Sequence, residues 1–387
     1  DFARRSDRIK AQLKSALVYP AVVLSFAAII ILIVLLFVVP KFRVNPDGAV
    51  GAFNDVSCSN IEHKLGIHAS PTCRLVFGPN GGCQGCLLGK ERHGLLLMFQ
   101  RMNAARYEVG VQGLGIASAA HQAALAYARE RLQGRSMTNR EPQTGQVAII
   151  EHPDVRRSLL MQSAYVQAMR ALVSYTGWCM DMAHIAEGEE RDRWQGLVDI
   201  FTPLCKAWCS NWGFRVTEWA LQIFGGYGYT CDYPAEQYLR DAQIACIYEG
   251  TNGIQALDLV GRKFRLQEGK PVRHLLGLAG QTAQELAADP VLGPSALQLG
   301  SAVKALGAVL TEIPAKDNAM LLTLLNAVPV LDMTGHTVAG YLLLRQAALA
   351  KEKLAALLKE KGVDASDKAA LCAALKDSAE AAFYHNK

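Results

Sequence analysis

One carboxylate, Glu249, is the residue best placed to do chemistry in this sequence. It lies between Tyr248 and a Gly-Thr-Asn-Gly turn, within the stretch 240–263, and apolar helical segments flank it on both sides. An acid in this position can cap the start of the following helix, because the positive end of a helix favours acidic side chains. It can also lie in a mostly apolar cleft and accept a proton there. The local sequence leaves both interpretations open.

Composition limits the classes of function. The chain has 387 residues, of which 51% are hydrophobic, enough for two or three domains with their own cores. The net charge of +5 is small, and no Lys/Arg cluster alternates with aromatic residues, so we expect no nucleic-acid partner. Most of the ten cysteines lie in apolar runs, as reduced thiols do. Cys83 and Cys86 have the spacing of half a zinc site, but no second pair follows, so we expect no metal site.

The N-terminal part of the chain has the character of a membrane segment. Residues 1–14 are basic, residues 15–40 carry no charge, and residues 17–39 are almost wholly apolar. At about 1.5 Å per residue, such a run spans the roughly 30 Å of a bilayer core. The pattern predicts a transmembrane-like helix whose basic end stays in the cytoplasm. The stretch KSALVYPAVVLSFAAIIILIVLLFVVPKF resembles a membrane segment of the inner-membrane platform proteins of type II secretion and type IV pilus systems.

The rest of the chain divides into a short β-rich part and a long helical part. Gly and Asn mark the ends of three predicted strands in residues 44–93, within AVGAFNDVSCSN, PTCRLVFG and GCLLG. Apolar residues then recur at three- and four-residue steps, and small residues in the first helix would let neighbouring backbones approach closely. Beyond residue 270, prolines punctuate further helices, which we expect to pack on the preceding bundle. The helices predicted before residue 270 are 95–134, 153–187, 197–224, 234–246 and 253–267.

Five motifs in this order carry a second resemblance: EHKLGIHASPT, MNAARYEVGVQGLGIA, ALAYARERLQG, LQIFGGYGY and IYEGTNGIQALDLVGRK. Residues 51–268 resemble the C-terminal part of an acyl-CoA dehydrogenase, and the extension after them resembles the added C-terminal domain of one subgroup. The implied fold is mainly α, a helical bundle of the acyl-CoA dehydrogenase C-terminal type, preceded by a partial β-domain and an N-terminal transmembrane-like helix. The predicted domains are 1–43, 44–93, 94–268 and 269–387.

The resemblance implies FAD-dependent α,β-dehydrogenation of an acyl-CoA thioester. Glu249 matches the family's catalytic base, which removes the α-proton while a hydride goes to flavin N5. Relatives that carry the base on an earlier helix have an acid where this chain has Ala105, so no rival base is present. The implied substrate-binding residues are Arg106, Tyr248 and Gly250, and the implied FAD-binding residues are Arg131, Gln222, Gly225, Gly226 and Thr251. Two alternatives to these roles stay open. Arg106 would then be an ordinary surface residue of its helix, and the turn at Gly225 would only end a helix.

The resemblance also implies partners and a location. An electron-transfer flavoprotein would accept the electrons, and the assembly would be a homodimer or a dimer of dimers. The dehydrogenase part would be cytoplasmic, with residues 17–39 as the segment for membrane contact. Because the family begins with a helical domain that the chain lacks, we expect residues 1–43 to be a foreign fusion. Two other classes stay open: a membrane-anchored secretion or pilus platform fragment, and a helical interaction module without flavin.

Overall fold

The computed structural model describes residues 54–136 and 145–362, which fall into two compact units. One unit lies within residues 54–94, apart from 65–67, and the other contains 65–67 and the helices that follow. Among the helices within the described residues, none combines the length and the apolar character that crossing a bilayer requires. The membrane segment predicted at 17–39 lies outside the described residues.

The first unit contains a β-hairpin. Strand β1, Val56–Ile61, pairs antiparallel with strand β2, Cys73–Phe77. The Asp55 carboxylate accepts a hydrogen bond from the backbone N–H of Asn80 at 2.8 Å, which ties the start of β1 to the loop after β2. The predicted third strand at 85–89 is wrong, because this part of the described chain has no strand there. A run of three residues bounded by glycines has too few side chains to stabilise a strand.

The second unit is helical, as the sequence predicts. Four of its helices within the described residues have 33 to 43 residues, and short 3₁₀ turns join several of the helices. The α-helices are α1 (Gly94–Glu130), α2 (Pro153–Ile185), α3 (Gly188–Phe224), α4 (Ala235–Gln243), α5 (Asn252–Gly261), α6 (Lys270–Leu286), α7 (Gly293–Glu312) and α8 (Ala319–Lys361).

Two helix boundaries differ from the prediction. Helix α3 begins at Gly188, only two residues after α2, whereas the prediction placed its start near 197. The polar run EGEERDR reads as a break in the apolar pattern, but charged side chains are compatible with a helix whose first turns face solvent. Helix α5 ends at Gly261 rather than at 267. Arg262 leaves the α-helical conformation with φ of −121°, and the 3₁₀ helix Lys263–Gly269 follows it.

Helices α1 and α3 approach each other closely because glycines lie between them. A Cβ atom on Gly110 would lie 2.7 Å from the carbonyl oxygen of Cys205, and one on Gly113 would lie 3.0 Å from that of Cys209. Only a residue without a side chain fits these positions. The prediction that small residues in the first helix allow close backbone contact is confirmed. This contact places Gly110 and Gly113 of α1 against the middle of α3.

The helices after residue 270 share a core with the bundle. One cluster of buried apolar side chains runs from α1 to α8 and includes Trp208 of α3 and Tyr341 of α8. The indole N–H of Trp212 donates to the Asp332 carboxylate of α8 at 2.8 Å. The expected packing of these helices on the bundle is therefore confirmed.

Candidate functional site

The turn that carries Glu249 lies between the 3₁₀ turn Ile244–Cys246 and helix α5. Its backbone is left-handed at two successive residues, with φ of +55° at Glu249 and +88° at Gly250. Left-handed backbone at a non-glycine residue is uncommon and is concentrated at functional sites. Thr251 is the N-cap of α5, and its hydroxyl oxygen accepts the backbone N–H of Ile254 at 3.4 Å. The helix cap is thus Thr251 rather than Glu249.

Two buried side chains hold the backbone of this turn. The Nε–H of Arg106 donates to the carbonyl oxygen of Glu249 at 3.3 Å, and the amide of Gln255 donates to the same oxygen at 3.5 Å. Arg106 is 7% exposed and pairs with the Asp258 carboxylate at 3.8 Å. Burial rules out a surface helix arginine. The guanidinium contacts the turn itself, and its predicted contact with the CoA side of a substrate remains a prediction.

The carboxylate of Glu249 has no hydrogen-bond or ion-pair partner within the part of the chain that the structure describes, and its residue is half-buried. The neighbouring Tyr248 is engaged, because its hydroxyl donates to the amide oxygen of Gln112 on α1. Burial raises the pKa of Tyr248, which keeps this phenol in the neutral form. The turn therefore presents one carboxylate that is free to accept a proton from a ligand.

A cavity of about 820 Å³ lies where α1 and α3 end. It brings together four of the five residues predicted to bind FAD, and Glu249 and Thr251 are not among its lining residues. The chain thus presents two separate groups of predicted site residues. The four that line the cavity are Arg131, Gln222, Gly225 and Gly226.

The cavity has the chemistry of an anion site with an aromatic wall. Among the described residues that line it, none is acidic. The Arg131 guanidinium lies 5.4 Å from the centre of the Tyr227 ring, and the rings of Tyr127 and Phe224 stack at 4.4 Å. Gly225 ends α3 with φ of +61°, and no atom lies within 4 Å of where its side chain would begin. A guanidinium, aromatic faces and an open glycine backbone suit a ligand that carries phosphate and a flat ring.

The structure adds a residue that sequence reasoning missed. Lys206 on α3 is fully buried, and its ammonium donates to the side-chain oxygen of Asn252 at 2.9 Å. Burial lowers the pKa of Lys206 to about 8. The one signal in the sequence is a lysine inside the apolar run LCKAWCS. Within the described residues, no group of three or more His, Cys, Asp or Glu side chains is arranged to hold a metal ion.

Comparison with known families agrees with this arrangement of helices. Residues 92–263 match the model of the acyl-CoA dehydrogenase C-terminal domain, which covers both groups of site residues. This match assigns residues 92–263 to the acyl-CoA dehydrogenase C-terminal domain. Residues 276–387 match a second model, described as acetyl-CoA dehydrogenase C-terminal like. Neither model covers residues 4–43, so the resemblance of that segment to secretion and pilus platform proteins has no support from them.

Individual relatives match most of this chain, but the match covers only about half of their own length. A butyryl-CoA dehydrogenase of Syntrophomonas wolfei is 38% identical over 331 residues, which are 83% of this chain and 53% of the relative. The chain spans about half the length of the curated relatives that it matches.

Two solved structures share the acyl-CoA dehydrogenase fold. Caenorhabditis elegans ACDH-11 in complex with C11-CoA has a TM-score of 0.64 at 20% identity, over 85% of this chain and 51% of its own. A Bacillus anthracis acyl-CoA dehydrogenase complexed with FAD has a TM-score of 0.62 at 24% identity, over 78% of this chain and 50% of its own.

Proposed function

We propose that this chain is the C-terminal part of an FAD-dependent acyl-CoA dehydrogenase, which removes hydrogen from the α and β carbons of an acyl-CoA thioester. The observation that carries the proposal is the Glu249 carboxylate, which has no partner among the described residues and lies on a turn whose backbone Arg106 and Gln255 hold. Because the chain spans about half the length of its relatives, the activity is proposed for the whole protein.

In this mechanism Glu249 is the general base. Its carboxylate accepts the α-proton of the thioester, and a positioned base of this kind contributes roughly 10²- to 10⁴-fold to a rate. Bound FAD would take the β-hydrogen as a hydride at N5. Gly250 allows the left-handed backbone that follows the base, and the first backbone N–H groups of α5 favour negative charge on the thioester oxygen. Arg106 and Tyr248 complete the substrate side of this site.

The cavity at the ends of α1 and α3 is proposed to hold the pyrophosphate and adenine half of FAD. Arg131 would pair with the pyrophosphate. The backbone at Gln222, Gly225 and Gly226 would offer polar groups to the cofactor and let it approach closely. Thr251 would lie near the flavin ring, beside the base. Since the cavity and the Glu249 turn are separate, we propose that a second copy of the chain completes each FAD site, in a homodimer or a dimer of dimers.

The family resemblance supports two further parts of the proposal. An electron-transfer flavoprotein is the proposed electron acceptor, and the dehydrogenase part is proposed to act in the cytoplasm. Membrane association is proposed only through residues 17–39.

Reconstitution with FAD tests the proposal. The purified chain is mixed with FAD, freed of excess cofactor and mixed anaerobically with acyl-CoA thioesters of several lengths. We expect protein-bound flavin, loss of its absorbance band on mixing, and an enoyl thioester among the products by mass spectrometry. A folded chain that retains no flavin would instead favour a helical interaction module.

A further inference from the structure

Within the described part of the chain, Lys206 is a buried cation without a carboxylate partner. It is fully buried on α3, and no carboxylate lies within ion-pair distance of its ammonium among the residues that the structure describes. Buried charges are normally paired, since an unpaired one loses its hydration without compensation. The chain offers the ordinary case for comparison, because buried Lys263 pairs with Asp199. A structural role in packing alone does not account for an ammonium at position 206.

The partner of Lys206 belongs to the Glu249 turn. Asn252 is the first residue of α5, and its side-chain oxygen accepts hydrogen bonds from Lys206 at 2.9 Å and from the Ser210 hydroxyl at 3.2 Å. Its amide group donates back to the carbonyl oxygen of Ala207 at 3.2 Å. These bonds join the start of α5 to the middle of α3. They anchor the left-handed backbone of the turn on its C-terminal side, as Arg106 does from α1.

The charges around Lys206 come from three elements. Arg106 faces it from α1, and Cys246 and Glu249 face it from the 3₁₀ turn and the loop before α5. Burial has the largest effect on its pKa; Cys246 and Glu249 raise the pKa, and Arg106 lowers it. At neutral pH the ammonium therefore keeps its proton, and the bond to Asn252 is charge-assisted.

We propose that Lys206 is a positioning residue of the candidate active site, which acts through Asn252 to hold the Glu249 turn in place against α3. The proposal rests on the proposed function for its catalytic meaning, but the anchoring itself does not. A neutral side chain of similar length, such as methionine, would leave the Asn252 oxygen with Ser210 as its remaining donor. The turn would then sample other positions, and the base would reach the α-carbon less often.

Hydrogen exchange on the full chain tests the anchoring without flavin or substrate. In Lys206→Met we expect the amides of Ile247, Tyr248 and Ile254, which donate hydrogen bonds within the turn, to exchange about tenfold faster, a loss comparable with one charge-assisted hydrogen bond. Asn252→Ala, which keeps the lysine, should give the same local change if Lys206→Met folds poorly. Lys263→Met is the matched control and should leave these amides unchanged. Wild-type exchange at these three amides in both Lys206→Met and Asn252→Ala would overturn the proposal.

A second measurement separates positioning from simple packing. In wild type, exchange of the same amides, corrected for intrinsic rates, should rise as pH passes about 8 and Lys206 loses its proton. Lys206→Met should have no such step, and a step that persists in this variant contradicts the proposal.

In the FAD-loaded chain, Lys206→Met should slow flavin bleaching about tenfold at saturating acyl-CoA, with a smaller change in the half-saturating concentration. Equal bleaching rates in the wild type and Lys206→Met would refute the role of Lys206 in positioning the base. If the wild type is not bleached at all, the proposed function fails, and the exchange data still decide the role of Lys206.

Discussion

Replacing Gly250 by alanine tests the geometry on which the candidate site depends. Gly250 has φ of +88°, and a Cβ atom there would lie 2.7 Å from the amide nitrogen of Gln255, which is fully buried. The left-handed backbone costs a non-glycine residue about 1–2 kcal/mol. Displacing Gln255 removes its bond to the Glu249 carbonyl and leaves a buried amide unpaired, at about 1–3 kcal/mol. We expect the free energy of unfolding to fall by about 2–5 kcal/mol.

Two other glycines, Gly225 and Gly253, provide the controls, with urea denaturation followed by circular dichroism. Gly225 also has positive φ, but its side chain would meet open space, so Gly225→Ala should show backbone strain alone, about 1–2 kcal/mol. Gly253 lies inside α5 without crowding, so Gly253→Ala should stabilise by about 0.5–1 kcal/mol. If Gly250→Ala lowers the free energy of unfolding no more than Gly225→Ala does, Gln255 does not crowd this position. If Gly250→Ala leaves the free energy of unfolding unchanged, the left-handed conformation of Gly250 is wrong.

Three further predictions concern separate parts of the helical unit. Arg131→Met should weaken FAD binding by roughly 10- to 100-fold in a fluorescence titration, because one charge-assisted bond is lost; unchanged affinity would remove Arg131 from the cofactor site. The Lys351 ammonium and backbone N–H groups lower the pKa of Asp289 to about 2, so its stabilisation is present above about pH 4 and is lost as pH falls towards 2. Asp289→Asn should flatten this part of the urea-midpoint profile, and an unaltered slope would contradict the assignment. Burial raises the pKa of Cys205 to about 12, so native Cys205 should resist iodoacetamide while exposed Cys231 reacts; labelling is read by peptide mass spectrometry, and equal labelling would refute the burial.

The helices were predictable where apolar periodicity is strong. Helix α2 runs from Pro153 to Ile185 against a prediction of 153–187, because its buried stripe and N-terminal proline are both local signals. The start of α3 was missed because the charged residues before 197 hide the helical period. Charge is a property of the exposed face and does not by itself end a helix.

The site was predictable only as far as local motifs extend. Glu249 and its turn are contiguous in sequence, so their association needs no tertiary structure. The anchoring of Asn252 by Lys206 joins residues 46 positions apart, and only packing of α5 on α3 brings them together. The grouping of Arg131 with the glycines at 225 and 226 likewise depends on where α1 and α3 end. Periodicity predicts which face of a helix is buried, but not which polar side chains meet across the interface.

Flavin bleaching by Glu249→Gln tests the central claim most directly. Wild type and Glu249→Gln are loaded with FAD to equal content and mixed anaerobically with the same acyl-CoA in a stopped-flow spectrometer. The amide is similar in size to the carboxylate but cannot accept the α-proton, so we expect bleaching to slow by roughly 10²- to 10⁴-fold with flavin content unchanged. Bleaching of Glu249→Gln at the wild-type rate would show that another group removes the proton, and the assignment of Glu249 as the base would be wrong.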